Sequence, residues 1–225
     1  MDSFFHPEAK KLVSTAVASV EKKTSVEVVV LVHKIAGDYR HTSYIGGLVF
    51  ATAFLCLFLY YPEPFDYTYL PLEQLAAFGF GALLTSVLDP VRRLLVGARQ
   101  KQQAVRAAAR EAFVDLKIGK TRFRNGVLVY VAAFERCAEV VCDVGIDAVT
   151  IGAPLADAIK KIERSVRLDR DPERFAEAVA SLGPALAAAF PRAHDDENEL
   201  ADELASKTEE THEDGEPDED EEEAR

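Results

Sequence analysis

Three cysteines in 225 residues exclude a scaffold built on disulfides, because an odd number cannot all pair within one chain and Cys56 lies inside an apolar run. Cys137 and Cys142 sit five apart in a stretch that reads as a strand. Their side chains therefore point to opposite faces and cannot close a CxxC-type metal clamp. Both are expected to be ordinary buried thiols. The first eleven residues, Met1 to Lys11, contain no apolar h-region, so no cleavable signal peptide is expected.

Catalytic signatures are also missing. There is no GxGxxG after a strand, no GxxxxGK[ST], no GxSxG and no HExxH, which removes the usual residues of nucleotide binding, serine hydrolysis and zincin chemistry. His6, His33, His41, His194 and His212 are dispersed, with no i, i+4 pair among them. Neither Cys137 nor Cys142 is followed by the arginine that a cysteine phosphatase uses to hold phosphate. No nucleic-acid partner is expected.

Positive charge is scarce in one place and negative charge crowds another. From Asp195 to Arg225 there are 17 Asp and Glu against 2 Lys and Arg, a net of −15, so the rest of a chain whose total is −12 carries +3. The acidity belongs to the tail, and the body is mildly basic. Residues 195–225 hold almost no large apolar residue after Leu204 and are expected to be a disordered tail. A solvating tail, a docking site for basic proteins and a loose cation buffer are all open readings of it.

What is present begins with a helix and a strand. After Pro7, residues Ala9, Leu12, Val13, Ala16, Val17 and Val20 recur at helical spacing while Glu8, Lys10, Lys11 and Glu21 face away. Val26 to Val32 is rich in β-branched residues and reads as a buried strand. Tyr44 to Tyr61 then has no charge and nearly the length that crosses a bilayer core, with Tyr44, Tyr60 and Tyr61 placed as interfacial aromatics. Leu75 to Leu88 is shorter, and hydropathy alone leaves a span, a buried helix or a re-entrant segment open.

The strand before the first apolar run and the strands after the second read as one sheet, and a single sheet cannot be built across a bilayer. An even number of crossings follows. The loop Pro62 to Glu73 has no Lys or Arg, whereas Lys34, Arg40, Arg92, Arg93, Arg99 and Lys101 flank the pair of runs. The positive-inside rule thus predicts both termini in the cytoplasm, with the lipid bilayer as a partner through two spans.

Beyond the hairpin, Val105, Ala108, Ala109, Ala112, Phe113 and Leu116 predict a helix ending near Gly119. Gly126 to Phe134, the pair Glu135-Arg136, and Cys137 to Asp143 predict a β-hairpin. Helices over Pro154 to Arg167 and Pro172 to Phe190 follow, the second divided or kinked at Gly183-Pro184. The expected organisation is residues 1–43 and 97–194 as two parts of one α/β domain, 44–96 as a transmembrane hairpin, and 195–225 as the acidic tail.

The stretches TSVEVVVLV (Thr24 to Val32), AREAFVDLKIG (Ala109 to Gly119) and KTRFRNGVLVYVAAFERCAEVVCDVGID (Lys120 to Asp147) resemble the TPM domain family. The resemblance covers Pro7 to Val32 and Ala98 to Phe190, and is to a subgroup of small bacterial membrane proteins with a hairpin inserted in the domain. It implies an α/β/α sandwich of TPM type in a bacterial inner membrane. Members of the family have been assigned acid phosphatase activity, calcium binding and accessory roles. Several carry Asp-Asn-Gly before the strand that here begins after Arg124-Asn125-Gly126. A cation in place of that acid removes a ligand charge from any calcium or phosphatase site, so no cofactor and no metal are expected.

The polar residues that the strands would gather, Glu27, Thr121, Asn125 and Asp143, are the candidate ligand-binding set, because ligands of α/β sheets bind at strand ends. The alternative is ordinary turn chemistry. Glu27, a carboxylate in a buried strand, is expected to pair with Arg122 or Arg124, or to hold a metal. No catalytic residue is assigned. The function expected is a membrane-anchored interaction or regulatory module with a protein partner. A membrane-bound phosphatase-like hydrolase of phosphate esters is the alternative, with Lys120, Arg122 and Arg124 beside Asn125 to hold the phosphate.

Overall fold

Six consecutive buried residues and a half-buried last one make β1 (Glu27–His33), and burial on both faces is why it reads as a continuous apolar run rather than an alternating one. The computed structural model describes residues 4, 6–60, 67–146, 151–169 and 171–192; the acidic tail and part of the loop between the apolar runs lie outside them. Ahead of β1 stands α1 (Pro7–Glu21), whose Pro7 occupies a first-turn position where no N–H is needed. Ala9, Val13, Ala16, Val17 and Val20 are buried as their spacing requires, while Leu12 is 39% exposed.

Glu21 does not face away. It is buried, and its Oε1 accepts a hydrogen bond from the Val28 N–H at 3.3 Å. The helix ends only six residues before the strand starts, so a carboxylate in its last turn reaches the first strand donors.

β1 pairs in parallel with β2 (Gly126–Ala132), Glu27 opposite Gly126 and His33 opposite Ala132. β2 pairs antiparallel with β3 (Cys137–Cys142), Val127 opposite Cys142 and Ala132 opposite Cys137. β2 stops at Ala132 rather than Phe134 because the next two N–H groups turn to β1, Ala133 donating to His33 O at 2.9 Å and Phe134 to Lys34 O at 2.8 Å. The connection Ala133–Arg136 closes with Arg136 in the left-handed region at φ 55°.

The two faces of this sheet are covered by different helices. On one, Val28, Val30, Val32, Val127, Val129 and Val131 pack with α1 and with α6 (Ala153–Arg164), α7 (Pro172–Ala180) and α8 (Leu182–Leu186). On the other, Val29, Leu31, Leu128, Tyr130 and Ala132 pack on Val105 and Ala109 of α5 (Ala98–Asp115). Cys142 joins the first cluster and Cys137 the second, so the two thiols do lie on opposite faces. The helix expected over Pro172 to Phe190 breaks after Ala180, and Gly183 brings the new helix onto Val20, whose Cα would stand 3.5 Å from an added Cβ. Asp171 caps α7 by accepting from the Glu173 N–H at 3.0 Å.

Between β1 and β2 the chain inserts α2 (His41–Tyr60), α3 (Leu70–Val87) and the short α4 (Asp89–Leu95) before α5. Residues His41–Tyr60 and Tyr67–Val87 are each long and apolar enough to cross a membrane, and most of their surface is exposed. α2 and α3 touch through small residues. A side chain at Gly46 would overlap Thr85 Oγ1, and one at Gly81 would stand 2.6 Å from Phe50 Cβ and 2.7 Å from Gly46 O. Close approach through glycine is how apolar helices associate when no hydrophobic difference drives them together.

That contact sets an expectation. Gly81→Leu should loosen the hairpin by about 1–3 kcal/mol through overpacking, whereas Gly79→Leu, where an added Cβ meets nothing within 4 Å, should be neutral. Unfolding of the two variants in detergent measures the difference, and equal stabilities would remove the helix contact.

Candidate functional site

Parallel pairing of β1 and β2 gives the sheet an amino end and a carboxyl end, and the sequence-nominated residues collect at the amino end. Glu27 opens β1, Asn125 immediately precedes β2, and Asp143 follows β3. All four candidates are buried: Glu27, Thr121, Asn125 and Asp143 expose 3–6% of their surface.

Each of the last three is engaged in shaping turns. Thr121 Oγ1 accepts from the Asn125 N–H at 3.1 Å, and the Asn125 side chain donates to Ser25 O, tying the strand-2 turn to the segment before β1. Asp143 Oδ1 accepts from the Val144 N–H at 2.7 Å, and its Oδ2 lies 3.2 Å from Arg124 Nε. Arg124 itself is left-handed, at φ 54°. Gly145 donates to Arg124 O at 2.9 Å, and a side chain there would overlap that carbonyl. Arg124, one of the two cations expected for Glu27, lies against Asp143. Arg122 lies with its guanidinium 5.3 Å from the Phe123 ring, and Lys120 ends a 3-10 turn.

Ligands of α/β sheets gather outside the carboxyl ends of the strands, which is the opposite end. There β1 runs on toward α2, and Glu135 in the β2–β3 connection turns inward, 4% exposed. Its Oε1 accepts from the Ala36 N–H at 2.9 Å, the Gly37 N–H at 3.2 Å and the Tyr39 hydroxyl at 2.9 Å. The Arg92 guanidinium lies 6.0 Å from the Tyr39 ring and 5.4 Å from Phe134, and that of Arg93 lies 5.2 Å from Phe134. Tyr39 precedes α2 by two residues and Arg92 belongs to α4. One buried carboxylate and two aromatic rings therefore clasp both ends of the apolar hairpin to the sheet.

Beside the clasp a cleft of about 430 Å³ opens between α4, α5, β3 and the end of α6. Arg93, Lys101, Arg136 and Arg167 line it together with Glu139 and Cys137. Lys101 Nζ donates to Arg93 O at 2.7 Å, and Glu139 pairs with Arg106 at 3.4 Å. Burial, then the neighbouring Arg93 charge, lowers the Lys101 amine below its usual range. Burial, then Glu135, raises the Cys137 thiol, which makes it a slow nucleophile. Among the described residues no group of three or more His, Cys, Asp and Glu is placed to hold a metal ion.

Sequence reasoning did not single out this cleft. Arg92, Arg93 and Lys101 were legible as a membrane-flanking charge bias, and Glu135-Arg136 as a turn. No local pattern joins them to Tyr39 or Arg167.

The sequence matches no family model and no curated protein. Among solved structures the chain is similar to the NMR structure of BA42 protein from the psychrophilic bacterium Bizionia argentinensis, with 18% identity, a TM-score of 0.53, and coverage of 89% of this chain and 94% of that one. At that identity the likeness is one of fold.

Two outcomes test the assignments at the two ends. Asp143→Ala should destabilise the domain by about 1 kcal/mol, because it removes the acceptor of the Val144 N–H and the partner of the solvent-facing Arg124; chemical denaturation reads this, and an unchanged midpoint would refute it. At the other end, burial and then Glu135 hold the Tyr39 phenol protonated well above the usual tyrosine range. An unfolded phenol ionises near about 10, so this group's contribution is complete below that pH and is lost as pH rises past it. Tyr39→Phe should flatten the alkaline decline in stability above about pH 10, and an unaltered slope would dissociate Tyr39 from it.

Proposed function

We propose that the chain is a TPM-type α/β module anchored in a bacterial inner membrane by its inserted hairpin, with both termini cytoplasmic, and that it acts by binding a partner rather than by catalysing a reaction. One observation carries the reading: the carboxyl end of the parallel strand pair opens at the base of the apolar hairpin, with the charged cleft beside it. A ligand-competent sheet end held at that place suits a module that reads something at or near a membrane surface.

The hairpin supports the anchor. Its two helices are long and apolar enough to cross a membrane, and β1 and β2, one on each side of the insertion, share one sheet. Two crossings leave both strands in the same compartment. The absence of Lys and Arg from Pro62 to Glu73, against Arg92, Arg93, Arg99 and Lys101 after α3, supports the cytoplasmic side for the domain. The segments that resemble the TPM domain coincide with β1, α5, β2 and β3, the elements around which the two core clusters form.

The sheet lends the anchor a rigid base. Glu135 fixes the exit of β1, and Arg92 and Arg93 pack on Phe134 at the return from α3, so both ends of the hairpin are tied to the sheet.

The topology is tested with single cysteines in a background of Cys56→Ser, Cys137→Ala and Cys142→Ala. On intact cells an impermeant thiol reagent should label Asp66→Cys and spare Ser206→Cys, and the chain should stay in the membrane pellet through alkaline carbonate. Labelling of Ser206→Cys from outside, or release by carbonate, would overturn the reading.

A further inference from the structure

The end of the folded part returns to the start of the first strand. Ser25, just ahead of β1, donates its N–H to Phe190 O at 3.1 Å, and Thr24 pairs with Pro191 in an isolated bridge. Arg192 therefore stands beside the amino end of the sheet, and the acidic tail begins three residues later. The carbonyl of the same Ser25 accepts from the Asn125 side chain. One residue thus ties the exit of the chain to the turn at 121–125 that leads into β2.

The outside of that turn is basic. Lys117, Lys120, Arg122 and Arg124 are all exposed. Arg124 is met by Asp143, and the Arg122 guanidinium lies by the Phe123 ring. Lys117 and Lys120 enter none of the ion pairs among the described residues. Glu21, Glu27 and Asp143 at this end are buried, and of the acids on the last turns of α5 Glu111 and Asp115 are exposed. Apolar surface is exposed among these cations. Phe123 is 61% exposed and Val144 78%, and Gly145 packs against the carbonyls of Phe123 and Arg124, which sets the two apolar residues in one patch.

The chain beyond the exit has the complementary composition. Residues 195–204 (DDENELADEL) hold six acids together with Leu200 and Leu204, and no further Leu, Ile, Val, Phe or Tyr follows. Twelve residues separate Arg192 from Leu204, a reach of up to about 40 Å. Single exposed ion pairs contribute little. A tether this short, however, holds the segment at an effective concentration on the order of millimolar, so several weak contacts suffice to keep it in place.

We propose that residues 195–204 dock on this patch of the same chain, their acids against Lys117, Lys120 and Arg122 and their leucines against Phe123 and Val144. The docked segment closes the amino end of the domain to other acidic segments. This contact lies at the end of the sheet away from the hairpin and does not rest on the membrane reading.

The full-length chain in a neutral detergent at low salt is treated with a water-soluble carbodiimide, which joins a lysine amine to a carboxylate beside it, and the links are mapped by mass spectrometry. Mixing heavy-isotope-labelled with unlabelled chains separates links within one chain from links between copies. Lys22 and Lys23, next to the exit, calibrate the reaction, and Lys11, in the first half of α1, sets the background. Lys117 and Lys120 should link to acids of residues 195–204 of their own chain several-fold more often than Lys11 does. These links should fall to background at about 1 M salt, where the Debye length is about 3 Å. Leu200→Ser with Leu204→Ser, which alters no residue of the core clusters, should lower them several-fold at low salt, and Phe123→Ser should do the same with the melting midpoint unchanged.

Links from Lys117 and Lys120 no more frequent than from Lys11, links spread evenly along the whole tail, or links formed mainly between copies would overturn the docking. Unchanged links in both the leucine and the Phe123 variants would overturn the apolar contact.

Discussion

The parallel ladder between β1 and β2 is the constraint on which the remainder of the fold rests. Seven paired positions, from Glu27 opposite Gly126 to His33 opposite Ala132, join strands that are separated in sequence by the whole apolar hairpin and α5. A parallel pair needs a long crossover in any case, and here the crossover carries α2, α3 and α4 as well as the covering helix. Because the ladder is in register at its carboxyl end, the chain leaves the sheet and returns toward it within reach of one side chain. Glu135 takes up that closeness by bonding Ala36, Gly37 and Tyr39.

The two ends of the sheet consequently do different work. At the amino end, polar side chains are consumed in turns: Thr121 holds Asn125, Asn125 holds Ser25, and Asp143 holds Val144 and Arg124. The satisfied hydrogen bonds there stabilise the path of the chain. At the carboxyl end the carboxylate of Glu135 is likewise structural, but the basic residues around it converge on an open cavity. The asymmetry follows from the hairpin, which brings α4 and the start of α5 over that end and adds Arg93 and Lys101 to a wall that the sheet alone would leave with Arg136.

Burial also explains why the residues with the most reactive chemistry are quiet. Cys142 is packed with the valine face and its thiol is pushed up to about 11, while Cys137 is raised by burial and Glu135. Raised thiol pKa values lower the thiolate fraction at neutral pH, and with it the nucleophilicity. Tyr39 is held protonated by burial and then by the same carboxylate.

The sequence by itself determined the elements whose causes are local. The β-branched run made β1, Pro7 and the apolar spacing made α1, two uncharged stretches made α2 and α3, and the odd separation of Cys137 and Cys142 put them on opposite faces. The candidate residues Glu27, Thr121, Asn125 and Asp143 were legible as a group because turn residues announce themselves within a few positions. Only the tertiary structure decided that Glu21 turns inward, that Arg124 meets Asp143, and that Glu135, Tyr39 and Arg92 meet at one point. Those contacts span up to about a hundred residues, and no short-range periodicity encodes them; they exist because the parallel ladder folds the chain back on itself and aligns the carboxyl ends of two strands beneath the hairpin.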